Sequence, residues 1–446
     1  MTPLATALAP SPLDHDHHMD YSPQSPTSSP ILTLPLEITD HILDCVASQR
    51  VKKVRATLAS CSLVCRGWVY QSRFNFFRDC RLLVHLNNAL AFAALLRSPY
   101  CTILPHVRRL TMVMNSLRVF AQGDTFRGFD DINDDLRLLA AVESLKLSGS
   151  CWAAHGAPPR RGFMSSLAGV VDLEIDCPDM GDLDHASLII CAFPALRRLT
   201  VHQFSIPENL QLPTYTPPTW IRPNEDHLRP PPLSSLCITC PALMPVLAWL
   251  NWAGSSCVTR LELSFSSLSL GKTLPLRNYL RGLSHSLEYL TIRSPSLVES
   301  RYIHQNFDLR DFTHLRAVHF EQLHQRELGC LKFSLLPILQ SLTSPELETL
   351  AFVFEEPKLH NDPQSWRLLD QFFCQSQLPG LKTVQFSGPA VQQGVDGALR
   401  TWLSRTDAMG ILDIQISRVP STVPAEDLQV VADESLAFIS EFLIPL

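Results

Sequence analysis

The chain has 446 residues, enough for more than one domain, and a formal net charge of −6 at pH 7. That balance excludes the chain-wide basic field on which nucleic-acid binding draws. Charged residues make up only 18% of the chain, so much of its surface is expected to be covered, by a stacked core or by partners.

Residues 1–30 are rich in Pro, Ser, Thr and His, a composition that predicts a disordered tail. Ser11, Ser22, Ser25 and Ser29 each precede proline, which suits proline-directed phosphorylation, but a plain solvated tail explains them as well. The cluster His15-Asp16-His17-His18 has no further ligand nearby, so no metal site is expected there. No basic stretch leads into an apolar one at the N-terminus, and no segment has 18 uninterrupted apolar residues, so neither a secretory leader nor a membrane partner is predicted. The 13 cysteines are odd in number and follow no framework. They read as small buried thiols, Cys191 and Cys257 among them, in a reducing cytoplasmic and/or nuclear compartment.

Residues 31–80 form a short helical module. Pro35 suits the first turn of a helix and Glu37 its positive end. Ile38, Ile42 and Val46 recur every four residues and share a face, which Leu43 widens. Val54, Leu58, Cys61, Cys65 and Trp68 follow at spacings of four, three, four and three, predicting one further amphipathic helix. Leu63 and Val64 fall partly off that stripe. So small a unit cannot enclose this many apolar residues, because ~35 residues bury little surface. The remainder of the chain or a second protein has to cover them.

These residues resemble an F-box, the helical domain that docks on the Skp-family adaptor of cullin–RING ubiquitin ligases. Leu34, Pro35, Glu37, Ile38, Ile42, Leu43, Leu58, Cys61, Val64, Cys65, Arg66 and Trp68 each match its pattern, over roughly a tenth of the chain. Gly67 departs from it mildly, since glycine weakens a helix by about 1 kcal/mol. The resemblance implies adaptor contact through Leu34, Pro35, Ile38, Ile42, Leu43, Leu58 and Val64. It also implies a module core built on Cys61, Cys65 and Trp68. An ordinary amphipathic hairpin packed on its own domain is the alternative reading of the same periodicity.

From residue 81 to 446 one phrase keeps returning: apolar, two variable residues, apolar, one variable residue, apolar. It runs Val107-Leu110-Met112, Val142-Leu145-Leu147, Val170-Leu173-Ile175, Leu196-Leu199-Val201 and Leu233-Leu236-Ile238. It continues as Val258-Leu261-Leu263, Leu287-Leu290-Ile292, Leu315-Val318-Phe320, Leu347-Leu350-Phe352 and Leu381-Val384-Phe386. The middle residues are 25 to 37 positions apart. The last two apolar residues of each phrase are two apart, which is strand periodicity. Crossovers of this length force parallel strands. The fold class predicted is therefore α/β, a solenoid with a parallel sheet and a ladder of inward Leu, Ile, Val and Phe. The crossovers Ala242–Trp252 and Trp366–Phe373 read as helices.

This region resembles the irregular leucine-rich repeats found behind fungal F-boxes, and the junction Ser98–Leu110 is similar to their link into a first strand. It departs from regular repeats in one respect. The asparagine expected three residues past each strand occurs only as Asn115, so no asparagine ladder is predicted. Ile206–Pro232 carries eight prolines and reads as an exposed Pro-rich insertion at 206–232.

Catalytic chemistry is not legible. There is no phosphate-cradling glycine loop, no histidine pair on a helix and no nucleophile elbow. Cys237-x-x-Cys240 falls in a strand, where its thiols would face opposite sides. Acidic pairs such as Asp134-Asp135 read as solvated faces. No enzyme activity and no cofactor are expected. Residues beside the inward ladder point to the open face of the sheet and make a candidate target-binding surface: Lys146, Glu174, Asp176, His202, Glu262, Arg293, His319 and Glu321. With the F-box resemblance, the chain reads as a substrate receptor. Its expected partners are a Skp-family adaptor, a cullin reached through that adaptor, and an unidentified target protein. The rival reading is a repeat scaffold whose helical hairpin only caps the solenoid.

Overall fold

The computed structural model describes residues 35–49, 54–79, 81–85, 88–99, 101–113, 132–149, 166–178, 183–202, 230–239, 243–252, 254, 257–264, 274–293, 308–323, 335–354, 363–374, 378–388 and 396–415. The tail 1–30, Leu34, Asn115, Cys240 and most of the insertion at 206–232 lie outside them. The chain divides into two units, Met1–Phe76 and Phe77–Leu446.

The first unit is helical: α1 (Leu36–Ser48), α2 (Val54–Cys61) and α3 (Arg66–Asp79), the last running past the unit boundary. Pro35 stands one residue before the first helical position, and its carbonyl accepts the N–H groups of Ile38 and Thr39 at 3.1 Å. The single helix expected from Val54 to Trp68 is two helices. The Ser62 N–H turns back onto the Leu58 and Ala59 carbonyls, and the Ser62 hydroxyl donates to Ala59 at 2.7 Å. That side chain occupies a carbonyl at the end of α2, and the chain turns through Val64 before α3 begins. Asp44 on α1 accepts from Gln71 at 2.7 Å and Asn75 at 2.8 Å on α3, which ties the two helices together.

The second unit is the predicted α/β solenoid. Twelve strands form one sheet in sequential order, every neighbouring pair parallel. They are β1 (Arg81–His85), β2 (Arg109–Val113), β3 (Ser144–Ser148), β4 (Asp172–Asp176), β5 (Arg198–His202) and β6 (Ser235–Thr239). The rest are β7 (Arg260–Ser264), β8 (Tyr289–Arg293), β9 (Ala317–Leu323), β10 (Thr349–Phe354), β11 (Thr383–Ser387) and β12 (Leu412–Gln415). The ten phrases are β2 to β11. Every apolar residue in them is at most 3% exposed apart from the half-buried Leu381.

Among the described residues, helices occupy several crossovers, including Leu183–Cys191, Leu243–Trp252, Leu274–Gly282 and Pro363–Phe373. Toward β12 the inward ladder turns aromatic. Phe352 stacks on Phe320 and Phe386, with ring centres 5.6 and 5.1 Å apart.

A ladder of backbone carbonyls runs along the strand starts. The Arg108 carbonyl accepts the N–H groups of both Glu143 and Ser144, and the Glu143 carbonyl those of Val171 and Asp172. The pattern then passes through Val171, Arg197, Ser234, Thr259, Glu288 and Arg316 to Glu348, whose carbonyl takes Lys382 and Thr383. Hydroxyls reinforce it where they fall beside a strand start. Ser286 donates to the Val258 carbonyl, and Ser344 to the Thr313 and Leu315 carbonyls, at 2.9–3.0 Å. These bonds use main-chain groups that every residue type except proline carries.

Two other expectations are corrected. Asp135 is not on a solvated face; it is buried and accepts from the Arg97 Nε–H and Nη2–H at 2.6 and 2.7 Å. Cys257 is exposed and Cys191 half-buried, leaving Cys177 as the fully buried thiol among the described cysteines, all of them free.

Candidate interaction surfaces

Two surfaces stand out. The first lies on the helical unit. A helix of alternating faces has to bury one side, and α1 buries Thr39 and Leu43, one turn apart, at 3% and 0% exposure. Leu58 and Ala59 on α2 are buried likewise. The residues left outside are large and apolar: Leu36 is 60% exposed, Ile38 48%, Ile42 38%, Leu63 74% and Val64 50%. Single exposed hydrophobes are ordinary, but five on so short a stretch make this a candidate interaction surface.

The expected adaptor residues therefore separate. Pro35, Ile38, Ile42 and Val64 are exposed, whereas Leu43 and Leu58 sit in the interior. Cys61, Cys65 and Trp68 are half-buried, and the Trp68 indole N–H is buried without a hydrogen-bond partner. Leu36 and Leu63 join the exposed set. Position alone does not pick them out, because both lie off the helical stripe that the spacing suggests.

The second surface is the polar face of the sheet. Register puts Thr111, Lys146, Glu174, Thr200, Cys237, Glu262, Thr291 and His319 in one row. Ser148, Asp176, His202 and Thr239 fall in the next row, as do Ser264, Arg293 and Glu321 further along the sheet. The sequence-predicted residues are all here, and most are already paired with one another. Lys146 Nζ lies 2.7 Å from Glu174 and 3.3 Å from Asp176. Arg81, three strands away on β1, reaches the other Glu174 oxygen at 2.9 Å. His202 is 3.8 Å from Glu174 through one ring nitrogen and 2.6 Å from the Thr239 hydroxyl through the other.

On β7–β9, Arg293 bridges Glu262 at 2.7 Å and Glu321 at 2.6 Å. Arg260 lies over the Tyr289 ring, 4.8 Å from its centre. Arg81, Thr239, Cys237 and the Arg260–Tyr289 pair were not legible as site residues, since nothing in the sequence says which side chains meet across strands.

The electrostatics follow from this pairing. Burial alone would raise the Glu174 carboxyl, but the hydrogen bonds and charges of Lys146 and Arg81 outweigh it and hold it below the usual glutamate value. Burial would likewise weaken protonation of Arg293, and the hydrogen bond to Glu321 with the charges of Glu262 and Glu321 reverses that. Burial lowers the His319 value, Glu321 opposes this and Arg260 adds to it. Burial and the neighbouring Glu262 push the Cys237 thiol up, away from reactivity.

A carboxyl whose folded value lies below its unfolded one stabilises the fold above the ordinary glutamate range. It loses that contribution as pH falls through the depressed value. Melting midpoints are therefore expected to fall as pH drops below the ordinary glutamate value of about 4.3, and Glu174→Gln to flatten part of that fall. A Glu174→Gln profile parallel to wild type would contradict the pairing.

Among the described residues, no group of three or more His, Cys, Asp and Glu side chains is placed to hold a metal ion. No helix there is long and apolar enough to cross a membrane. No family model matches the chain, and no curated protein does either. Among solved structures the chain is similar to the leucine-rich repeat-containing protein LegL7 from Legionella pneumophila. That likeness has 16% identity and a TM-score of 0.33, over 69% of this chain and 94% of that one. It is too distant to carry an argument, and the leucine-rich-repeat-like α/β fold rests instead on the strand register and the repeated phrase.

Proposed function

We propose that the chain is a substrate receptor. Its helical unit docks on a Skp-family adaptor of a cullin ubiquitin ligase, and its solenoid holds a target protein. One observation carries this reading: Leu36, Ile38, Ile42, Leu63 and Val64 stay exposed although the unit has already buried Leu43 and Leu58. An apolar surface left over once a unit has filled its own interior is what a docking partner covers. Catalysis in this scheme is proximity. Tethering raises the local concentration of target lysines, and the chain itself supplies no reacting group.

Capture by the immobilised adaptor tests it. Wild type is expected to be retained, and Ile38→Asp and Val64→Asp to be lost at unchanged melting temperature. Leu43→Asp serves as a folding control and should melt early, because it buries a charge. Equal recovery of wild type and Ile38→Asp would count decisively against adaptor docking.

The rival scaffold reading draws on the polar face, whose charges are largely satisfied within the chain. A chain beginning at Phe77, where the second unit starts, separates the two. It should remain soluble and folded if the helical unit is a handle, and aggregate if that unit is an obligatory cap.

A further inference from the structure

The open face of the sheet is banded by charge. Parallel pairing in register lines up the first residues of the strands in one row, the third residues in a second and the fifth in a third. All three rows lie on the same side of the sheet. The first row holds Arg81, Arg109, Arg198 and Arg260 against one carboxylate, Asp172. The other two rows hold Lys146 and Arg293 against Glu174, Asp176, Glu262, Glu321 and Asp413. Four cations against one carboxylate, and two against five, leave +3 on the row of strand starts and −3 on the rest, with histidines neutral.

The two bands also differ in how firmly their charges are held. Each of the four arginines is the exposed residue of its strand. The Arg81 and Arg198 side chains are 42% and 60% exposed, whereas Glu174, Asp176, Glu262 and Glu321 are 21–29% exposed. Exposed ion pairs are weak and change partners at little cost, while pairs withdrawn from water are costly to break. The arginine row is therefore the part of this face that an incoming charge can claim. From β1 to β7 it crosses six strand-to-strand steps, ~29 Å at about 4.8 Å each, the length of about nine extended residues.

We propose that the open face takes an acidic polypeptide segment, laid across β1–β7 with its carboxylates on the arginine row and its other side turned to the acidic rows. This rests on the solenoid being the target-holding part of the chain, and it names the target's chemistry. The banding favours a polypeptide over nucleic acid. A nucleic acid is anionic on every side and would set phosphates against the neighbouring carboxylates, the nearest only two residues, about 7 Å, along the strands. A polypeptide can carry acid on one side and neutral or basic residues on the other.

Fluorescence anisotropy of the full chain with a twelve-residue peptide alternating glutamate and serine tests this. In an extended peptide that alternation puts all the glutamates on one side. Binding is expected below about 1 mM. Arg109→Ser with Arg198→Ser is expected to weaken it about fivefold or more, and Arg109→Lys with Arg198→Lys, which keeps the charge, to hold it within about twofold. Arg281→Ser with Arg367→Ser removes the same charge from exposed positions on the helices Leu274–Gly282 and Pro363–Phe373 and should leave binding unchanged. No binding, binding that the Arg109 and Arg198 serine pair leaves intact, or an equal loss in both serine pairs would overturn the proposal. Tighter binding of a twelve-nucleotide oligothymidylate than of the peptide would assign the row to nucleic acid and overturn it too. So would self-association of the chain that the Arg109 and Arg198 serine pair abolishes, since the occupant would then be a second copy. Adaptor capture, read through Ile38→Asp on the helical unit, is independent of all these variants. A chain that binds the peptide but escapes the adaptor contradicts adaptor docking alone, and one that is captured but ignores the peptide contradicts this inference alone.

Discussion

Gly388→Ala is expected to destabilise the C-terminal repeats by about 3 kcal/mol or more. Gly388 follows β11 with φ +130°, a conformation L side chains rarely adopt, and it is buried. A Cβ built there would run into the backbone carbonyl of Phe354, the last residue of β10. Backbone cannot step aside as a flexible side chain can, so relief means parting β10 from β11. Because each repeat is stabilised by its neighbours, the damage should stay near its source. Hydrogen exchange is expected to rise in β10–β12 and to remain slow in β2–β5. No change, or a uniform rise along the sheet, would contradict this.

Phe352→Ala is expected to cost about 3–5 kcal/mol, measured by denaturant unfolding of the C-terminal repeats. Phe352 is 1% exposed and lies between Phe320 and Phe386, their planes within 16° of its own. A third ring, Phe373, is tilted against it at 6.1 Å. Alanine would leave a cavity lined by three rings that cannot all collapse into it, and would remove the stacking contacts as well. Phe352→Leu keeps most of the volume and should cost less, about 1–2 kcal/mol. Equal losses from the two substitutions would mean the site relaxes freely, contrary to a rigid aromatic ladder.

The fold was legible where one signal repeats. A period of two within each phrase and a steady return of the phrase gave ten strands and their parallel order. β1 escaped because Asp79 stands where the first apolar residue of the phrase should be. β12 does carry the phrase, as Met409-Leu412-Ile414, but it closes the described sheet with half-exposed residues rather than a full core. The break between α2 and α3 was hidden for a different reason. Cys61, Cys65 and Trp68 keep helical spacing across it, and the decisive interaction is a hydroxyl-to-backbone bond at Ser62 that no periodicity reports.

The candidate surfaces were legible in membership but not in arrangement. Helical spacing groups Ile38, Ile42 and Leu43, yet it does not say which way the helix is turned. Burial of Thr39 and Leu43 settles that and leaves the two isoleucines outside. On the sheet, alternation predicts that Lys146, Glu174, Glu262 and Arg293 face outward. It cannot predict that Arg81 reaches Glu174 across 93 residues of sequence, or that Arg293 is held between two carboxylates. Such pairing bears on function, since a target that engages these charges has to offer better partners than they already have. Neutral and less committed groups of the same face, such as Thr200 and Gln385, cost less to engage.

Calorimetric titration of the purified full chain with a purified Skp-family adaptor tests the central claim most directly. The exposed apolar residues of the helical unit predict one-to-one binding with a negative heat-capacity change, abolished by Ile38→Asp. A wild-type chain that melts cooperatively yet shows no binding up to about 100 µM adaptor would contradict it.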